Sequence, residues 1–94
     1  MDEPSSDRLL ESTHSFPCVF QIKAIGSAAE DFESRVLHVV REELAGPSEL
    51  DCSVRTTPGG RHVALTLDFT VQTADQVRAI YRRIRASDGL KLLL

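Results

Sequence analysis

The chain has no apolar run approaching the ~20 residues that a bilayer crossing requires, and it opens acidic instead of with a basic stretch leading into an apolar one. A membrane span and a secretory leader are therefore not expected, and the predicted location is cytoplasmic, with no membrane partner. Cysteine is scarce. Cys18 and Cys52 stand alone, with no C-x-x-C spacing, so neither a disulfide framework nor a zinc ribbon has a basis. An excess of positive charge is missing as well. The formal net charge is -3, and the first fifteen residues carry it, with Asp2, Glu3, Asp7 and Glu11 against Arg8. The remaining acids and bases balance, so no domain-wide field would gather nucleic acid or an anionic surface.

What is present suits one small folded unit. Ninety-four residues, 41% of them hydrophobic, hold a single modest core. Residues 1–15 are polar, contain Pro4 and Ser5-Ser6, and show no sustained periodicity, which predicts a flexible tail ahead of one domain over 16–94.

The clearest pattern is a hairpin. A short strand near Asp51 to Thr57 leads through Pro58-Gly59-Gly60 into an alternating run, in which Val63, Leu65, Leu67, Phe69 and Val71 share one side. His62, Ala64, Thr66, Asp68 and Thr70 share the other. Successive strand side chains point to opposite faces, so this is a half-buried strand, apolar inward and polar outward. Phe16-Pro17 introduces an earlier strand, Cys18 to Ile25, with Phe20, Ile22 and Ala24 alternating and a stop at Gly26.

Two helices fill the gaps. Ser27 and Glu30 form a capping-box pattern, after which Phe32, Val36, Val39, Val40 and Leu44 make one helical stripe ending at Gly46-Pro47. Thr73 with Gln76 repeats the box, and Val77, Ile80, Tyr81 and Ile84 repeat the stripe up to Asp88-Gly89. Leu90 to Leu94 is a final short strand with Lys91 facing solvent. This order predicts an α+β, ferredoxin-like βαββαβ sandwich: a four-stranded antiparallel sheet, order 4-1-3-2, with two helices on one face.

The residues Phe16-Pro17, Phe20, Lys23 and Ile25-Gly26, then Gly60 and Thr66, then Gln76-Val77, Ile80-Tyr81 and Ile84 with the leucine-rich end, recur together in a known group. With them the chain resembles the YbeD-like family of small bacterial proteins, which has no assigned activity. The resemblance covers nearly everything after residue 15, although members generally carry tyrosine where His62 stands and serine where Ala64 stands. It implies a sandwich similar to ACT-type regulatory domains, which bind amino acids or other small effectors and usually pair. A regulatory domain with a small effector or protein partner is expected on that basis, with a homodimer among its states. The alternative it implies is an adaptor docking on a metabolic enzyme, lipoate-related by the family's frequent genomic neighbours.

Candidate sites are few. Ile25-Gly26-Ser27 joins a glycine to backbone N–H groups at a helix start, a place that can hold a carboxylate or phosphate and one that effectors use in ACT-like domains. Val19, Lys23, His62, Thr66 and Leu93 are expected on the uncovered sheet face as an interaction surface, with Val19, Ile25 and Leu93 as its apolar members. That face lacks the aromatic pairs on which RNA-binding sheets stack bases, which argues against a nucleic-acid partner. His62 and Asp68 lie six residues apart on one strand, His38 falls off its helix stripe and His14 lies in the tail, so no catalytic triad assembles. Arg78, Arg82, Arg83 and Arg85 read as a solvated face compensated by the acidic first helix. Cys18 and Cys52 are expected inward on strands separated by the third strand, about 10 Å apart and beyond disulfide reach. No catalytic residue, metal or cofactor is expected.

Overall fold

The computed structural model describes residues 15–29, 31–44 and 50–94. The expected tail lies, Ser15 apart, outside the described residues. So do Glu30 of the first capping box and the Gly46-Pro47 helix stop. The elements are β1 (Cys18–Ser27), α1 (Phe32–Leu44), β2 (Leu50–Thr56), β3 (His62–Val71), α2 (Ala74–Arg85) and β4 (Leu90–Leu93).

The four strands form one antiparallel sheet in the order β2-β3-β1-β4, the ferredoxin-like arrangement that the alternation and helix stripes predict. β3 and β1 are the two inner strands, and each offers an inward apolar row, Val63, Leu65, Leu67, Phe69 and Val71 from β3 and Cys18, Phe20, Ile22 and Ala24 from β1. β3 pairs with β1 without interruption from Cys18↔Val71 to Ser27↔His62, and with β2 from Leu50↔Phe69 to Thr56↔Val63.

Ile22 and Ala24 of β1 and Leu65, Leu67, Phe69 and Val71 of β3 are buried together with the helix stripes. Phe32, Val36, Val39, Val40 and Leu44 come from α1, and Val77, Ile80 and Ile84 from α2. One cluster containing both helices and one sheet face places both helices on that face. Each valine, leucine, isoleucine or phenylalanine among them that is fully withdrawn from water contributes about 1.5–3 kcal/mol before the entropy of ordering is subtracted.

Two boundaries differ from the sequence reading, for a shared reason. β1 does not stop at Gly26 but runs through Ser27, which pairs with His62 on one side and gives its N–H to the Gly89 carbonyl on the other at 2.9 Å. A residue held on both sides in a sheet cannot cap a helix. Ser27 Oγ instead accepts from the Ala29 N–H at 3.1 Å, and α1 begins at Phe32 after Asp31, whose φ of 56° is in the left-handed region that aspartate tolerates. The second cap forms in its first half, with Thr73 Oγ1 accepting from the Gln76 N–H at 3.2 Å, while the Gln76 side chain returns to the Gln72 N–H and not to that of Thr73.

The third difference concerns β4. Its ladder with β1 pairs Ala24 with Leu93 and Ile25 with Leu92, but Gly26 with Leu90, so Lys91 is an extra residue at a β-bulge. One inserted residue reverses which side chains face which way. Leu93, expected on the uncovered face, packs against the core, while Leu92 stands opposite Ile25 on the open side, 47% exposed.

Candidate interaction face

The face of the sheet away from the helices is a grid of cross-strand rows. One row is Asp51, Asp68 and Gln21. The next is Ser53, Thr66 and Lys23, extended by Leu94, which exchanges backbone hydrogen bonds with Lys23 at 3.1 and 2.8 Å. The row after it is Arg55, Ala64, Ile25 and Leu92. His62 and Ser27 pair beyond these, and Thr70 and Val19 at the opposite end.

The charges separate along the strands. Asp51 stands directly across from Asp68, whose carboxylate accepts from the Gln21 side-chain amide at 2.9 Å. Lys23 and Arg55 occupy the next two rows, and among the described residues neither is in an ion pair. Ala64 is the small residue in the middle of its row. The taller side chains around it leave a hollow of about 150 Å³ lined by Lys23, Ile25, Arg55, Thr66, Leu92 and Leu94. Val19, 71% exposed, lies outside this hollow near the acidic row.

Of the predicted interaction residues, Lys23 and Thr66 thus line the hollow, His62 lies two rows from Thr66, Val19 is at the acidic end, and Leu93 is on the other face. Arg55, Leu92 and Leu94 belong to the hollow but were not predicted there. Arg55 needed the register of β2 against β3, and the two leucines needed the bulge at Lys91. Neither leaves a mark in the one-residue alternation of the sequence.

Ile25-Gly26-Ser27, the predicted effector corner, is spent on the fold. The Ser27 N–H goes to Gly89, the Ala28 N–H to the Arg61 carbonyl at 2.9 Å, and the Ala29 N–H to Ser27 Oγ. The space that a glycine leaves is also taken, because a β-carbon at Gly26 would sit 2.4 Å from the Phe32 ring. Those N–H groups therefore do not converge on an open site, and Ile25 alone of the three faces the hollow.

Arg83 gives Nη2 to Glu42 at 2.6 Å and Nη1 to Glu43 at 2.9 Å, tying α2 to the end of α1. Arg78 pairs with Asp75, and Arg85 lies over the Tyr81 ring, 5.8 Å from its centre. His38 contacts Glu42 at 3.2 Å. Cys18 and Cys52 are free and packed against the core, and burial, with Glu33 adding to it, pushes the Cys52 thiol up, away from the reactive thiolate. Among the described residues no three His, Cys, Asp or Glu side chains gather as metal ligands, and no helix is long and apolar enough to cross a membrane. A larger cleft, of about 500 Å³, opens on the helical side between Asp31, Arg35, His38 and Asp88, but Arg35 reaches across it to donate to the Asp88 carbonyl at 2.8 Å.

Residues 11–94 match the model of a family described as a protein of unknown function, DUF493. The chain belongs to the DUF493 family. Similar proteins include a UPF0250 protein of Shewanella sediminis, 32% identical over 88 residues that cover 94% of this chain and 93% of that one. Another, from Chromobacterium violaceum, is 32% identical over 79 residues covering 84% and 89%. These are the YbeD-like relatives that the sequence resembles. Among solved structures, the solution structure of HP0495 from Helicobacter pylori superposes with a TM-score of 0.67 at 16% identity, covering 86% of this chain and 85% of that one. A second HP0495 solution structure gives 0.54 at 18% identity. At such identity the likeness speaks for the fold, and DUF493 membership carries no activity with it.

Proposed function

We propose that this DUF493 domain is a non-catalytic recognition module that docks a protein partner on the open face of its sheet, at the hollow around Ala64. The observation that carries the reading is a combination at one place: exposed Leu92 and Leu94 and half-buried Ile25 beside a Lys23 with no ion-pair partner among the described residues. Apolar side chains give a docking surface its affinity, and an unpaired cation beside them selects an acidic group. The partner is therefore a protein segment presenting an acidic side chain next to an apolar one.

The effector alternative has less to stand on, since the N–H groups at the end of β1 are already bonded. The test is capture of partners by the wild-type chain compared with Lys23→Glu and Leu92→Asp, using Arg41→Glu on the exposed side of α1 as control. The expected result is a partner retained by wild type and control, lost by both face variants, and released by salt. Retention by the face variants would overturn the reading. So would a thermal shift with amino acids or nucleotides that the face variants leave untouched, which would point to an effector held elsewhere.

A further inference from the structure

The two edges of the sheet are treated differently. β4 is four residues long and broken by the bulge at Lys91, two features that blunt an edge against pairing. β2 has neither protection. It runs seven residues, Leu-Asp-Cys-Ser-Val-Arg-Thr, with no proline, no lysine and no break in its ladder with β3. Among the described residues its outer side meets no strand.

The hydrogen-bond phase of that outer side can be worked out. Thr57 gives its N–H to the His62 carbonyl at 2.9 Å, which fixes 57 and 62 as a hydrogen-bonded pair. Such pairs alternate along an antiparallel ladder, so Arg55, Ser53 and Asp51 spend their backbone groups on β3. Leu50, Cys52, Val54 and Thr56 aim theirs outward.

From this we infer that two copies of the chain pair through antiparallel β2 edges about a two-fold axis at Ser53, merging their sheets into one of eight strands. Outward-aimed residues must meet outward-aimed residues. The register that overlaps the strand end to end meets this condition, placing Leu50 across from Thr56 of the second copy and Cys52 across from Val54. It also sets Asp51 of each copy directly opposite Arg55 of the other, on the open face. Strand β2 is thus self-complementary in charge when read against itself. Val54, 44% exposed in the single chain, gains an apolar neighbour on the helix face. Unlike charges directly across a ladder attract and like charges repel, so the register selects itself. Because the axis is perpendicular to the sheet, the two hollows around Ala64 stay on the same side, and the pairing stands whether or not the proposed partner docking does.

Sedimentation of the full chain from micromolar to millimolar concentration is the first measurement, and a reversible monomer–dimer equilibrium is expected. Asp51→Arg and Arg55→Asp each place like charges opposite one another twice and weaken dimerisation by about tenfold or more, while the double exchange restores it. Asp51→Arg carries an internal control. Within one chain Asp51 faces Asp68, so the reversal removes a repulsion and raises the melting temperature of the dilute monomer even as the dimer weakens. In a Cys18→Ala, Cys52→Ala background, Ser53→Cys lies across from itself on the axis and oxidises to a covalent dimer, whereas Asp51→Cys does not. A monomer throughout the range, a dimer indifferent to both charge reversals, or Ser53→Cys that resists crosslinking would overturn the inference. Slow amide exchange at Cys52 and Val54 in a strict monomer would do the same, and would assign the edge to a segment of the chain itself.

Discussion

Gly26 and Phe32 are in direct contact: a β-carbon on Gly26 would lie 2.4 Å from Cε2 of the ring and 2.5 Å from Cδ2. The ring is 1% exposed and is the first residue of α1, so it cannot swing out to make room. Replacing Gly26 with alanine forces overpacking that costs about 1–3 kcal/mol, against about 0.5–1 kcal/mol recovered from the less flexible unfolded chain. We expect Gly26→Ala to be destabilising in urea titrations. With Phe32→Leu already in place the added penalty shrinks, and the four-way cycle of midpoints reveals a coupling that distant sites lack.

Helix α2 is pinned at its start by two residues. Thr73 Oγ1 accepts the Gln76 N–H. Gln76 reaches back with Oε1 to the Gln72 N–H at 2.6 Å and across with Nε2 to the Glu43 carbonyl of α1 at 3.3 Å. Thr73→Ala should cost about 1 kcal/mol, the usual loss when a capping oxygen is removed, and Thr73→Ser should restore most of it. Thermal unfolding of the three proteins compares them directly.

Glu42 makes the stability of the helix pair depend on pH. The Arg83 guanidinium hydrogen-bonded to it, with the charge of nearby His38 adding, holds its carboxyl below the usual glutamate range. A carboxylate with a depressed folded pKa contributes stability that is present above the unfolded value of about 4.3, and is lost as pH falls through the lower folded value. The wild type should therefore exceed Glu42→Gln in urea midpoint near neutral pH and converge on it in acid. The pair is exposed, so added salt should narrow the gap at neutral pH as well.

The chain displays its helix stripes and its central strand openly, because burial imposes a period on each. Phe32, Val36, Val40, Val77, Ile80 and Ile84 are buried where the 3.6-residue spacing puts them, and Leu65, Leu67 and Phe69 where the two-residue spacing does. Features set by one element acting on another were not legible. Ser27 and Glu30 have the pattern of a helix cap, but the demand of two neighbouring strands for the Ser27 backbone overrides it. The compensation of the α2 arginines by the acidic first helix was legible, and Arg83 makes it by reaching Glu42 and Glu43, but nothing in the sequence singles out Arg83 among the four. The open face was legible in β1 and β3, where pairing is regular, and illegible at β4, where the bulge exchanges the faces.

That exchange separates two adjacent leucines by consequence. Leu93 pairs with Ala24 on the helix side and packs against the core, whereas Leu92 pairs with Ile25 on the open side. Leu93→Ala should cost about 1–2 kcal/mol, below the 2–5 kcal/mol of a fully enclosed leucine because its site is only half-buried. Leu92→Ala should stay within about 0.5 kcal/mol of wild type, as surface substitutions do. Partner capture should show the reverse order, weakened by Leu92→Ala and kept by Leu93→Ala under conditions where both are folded. Equal unfolding midpoints, or the opposite ranking, would mean that Lys91 is not the extra residue and that β4 alternates in register with the rest of the sheet.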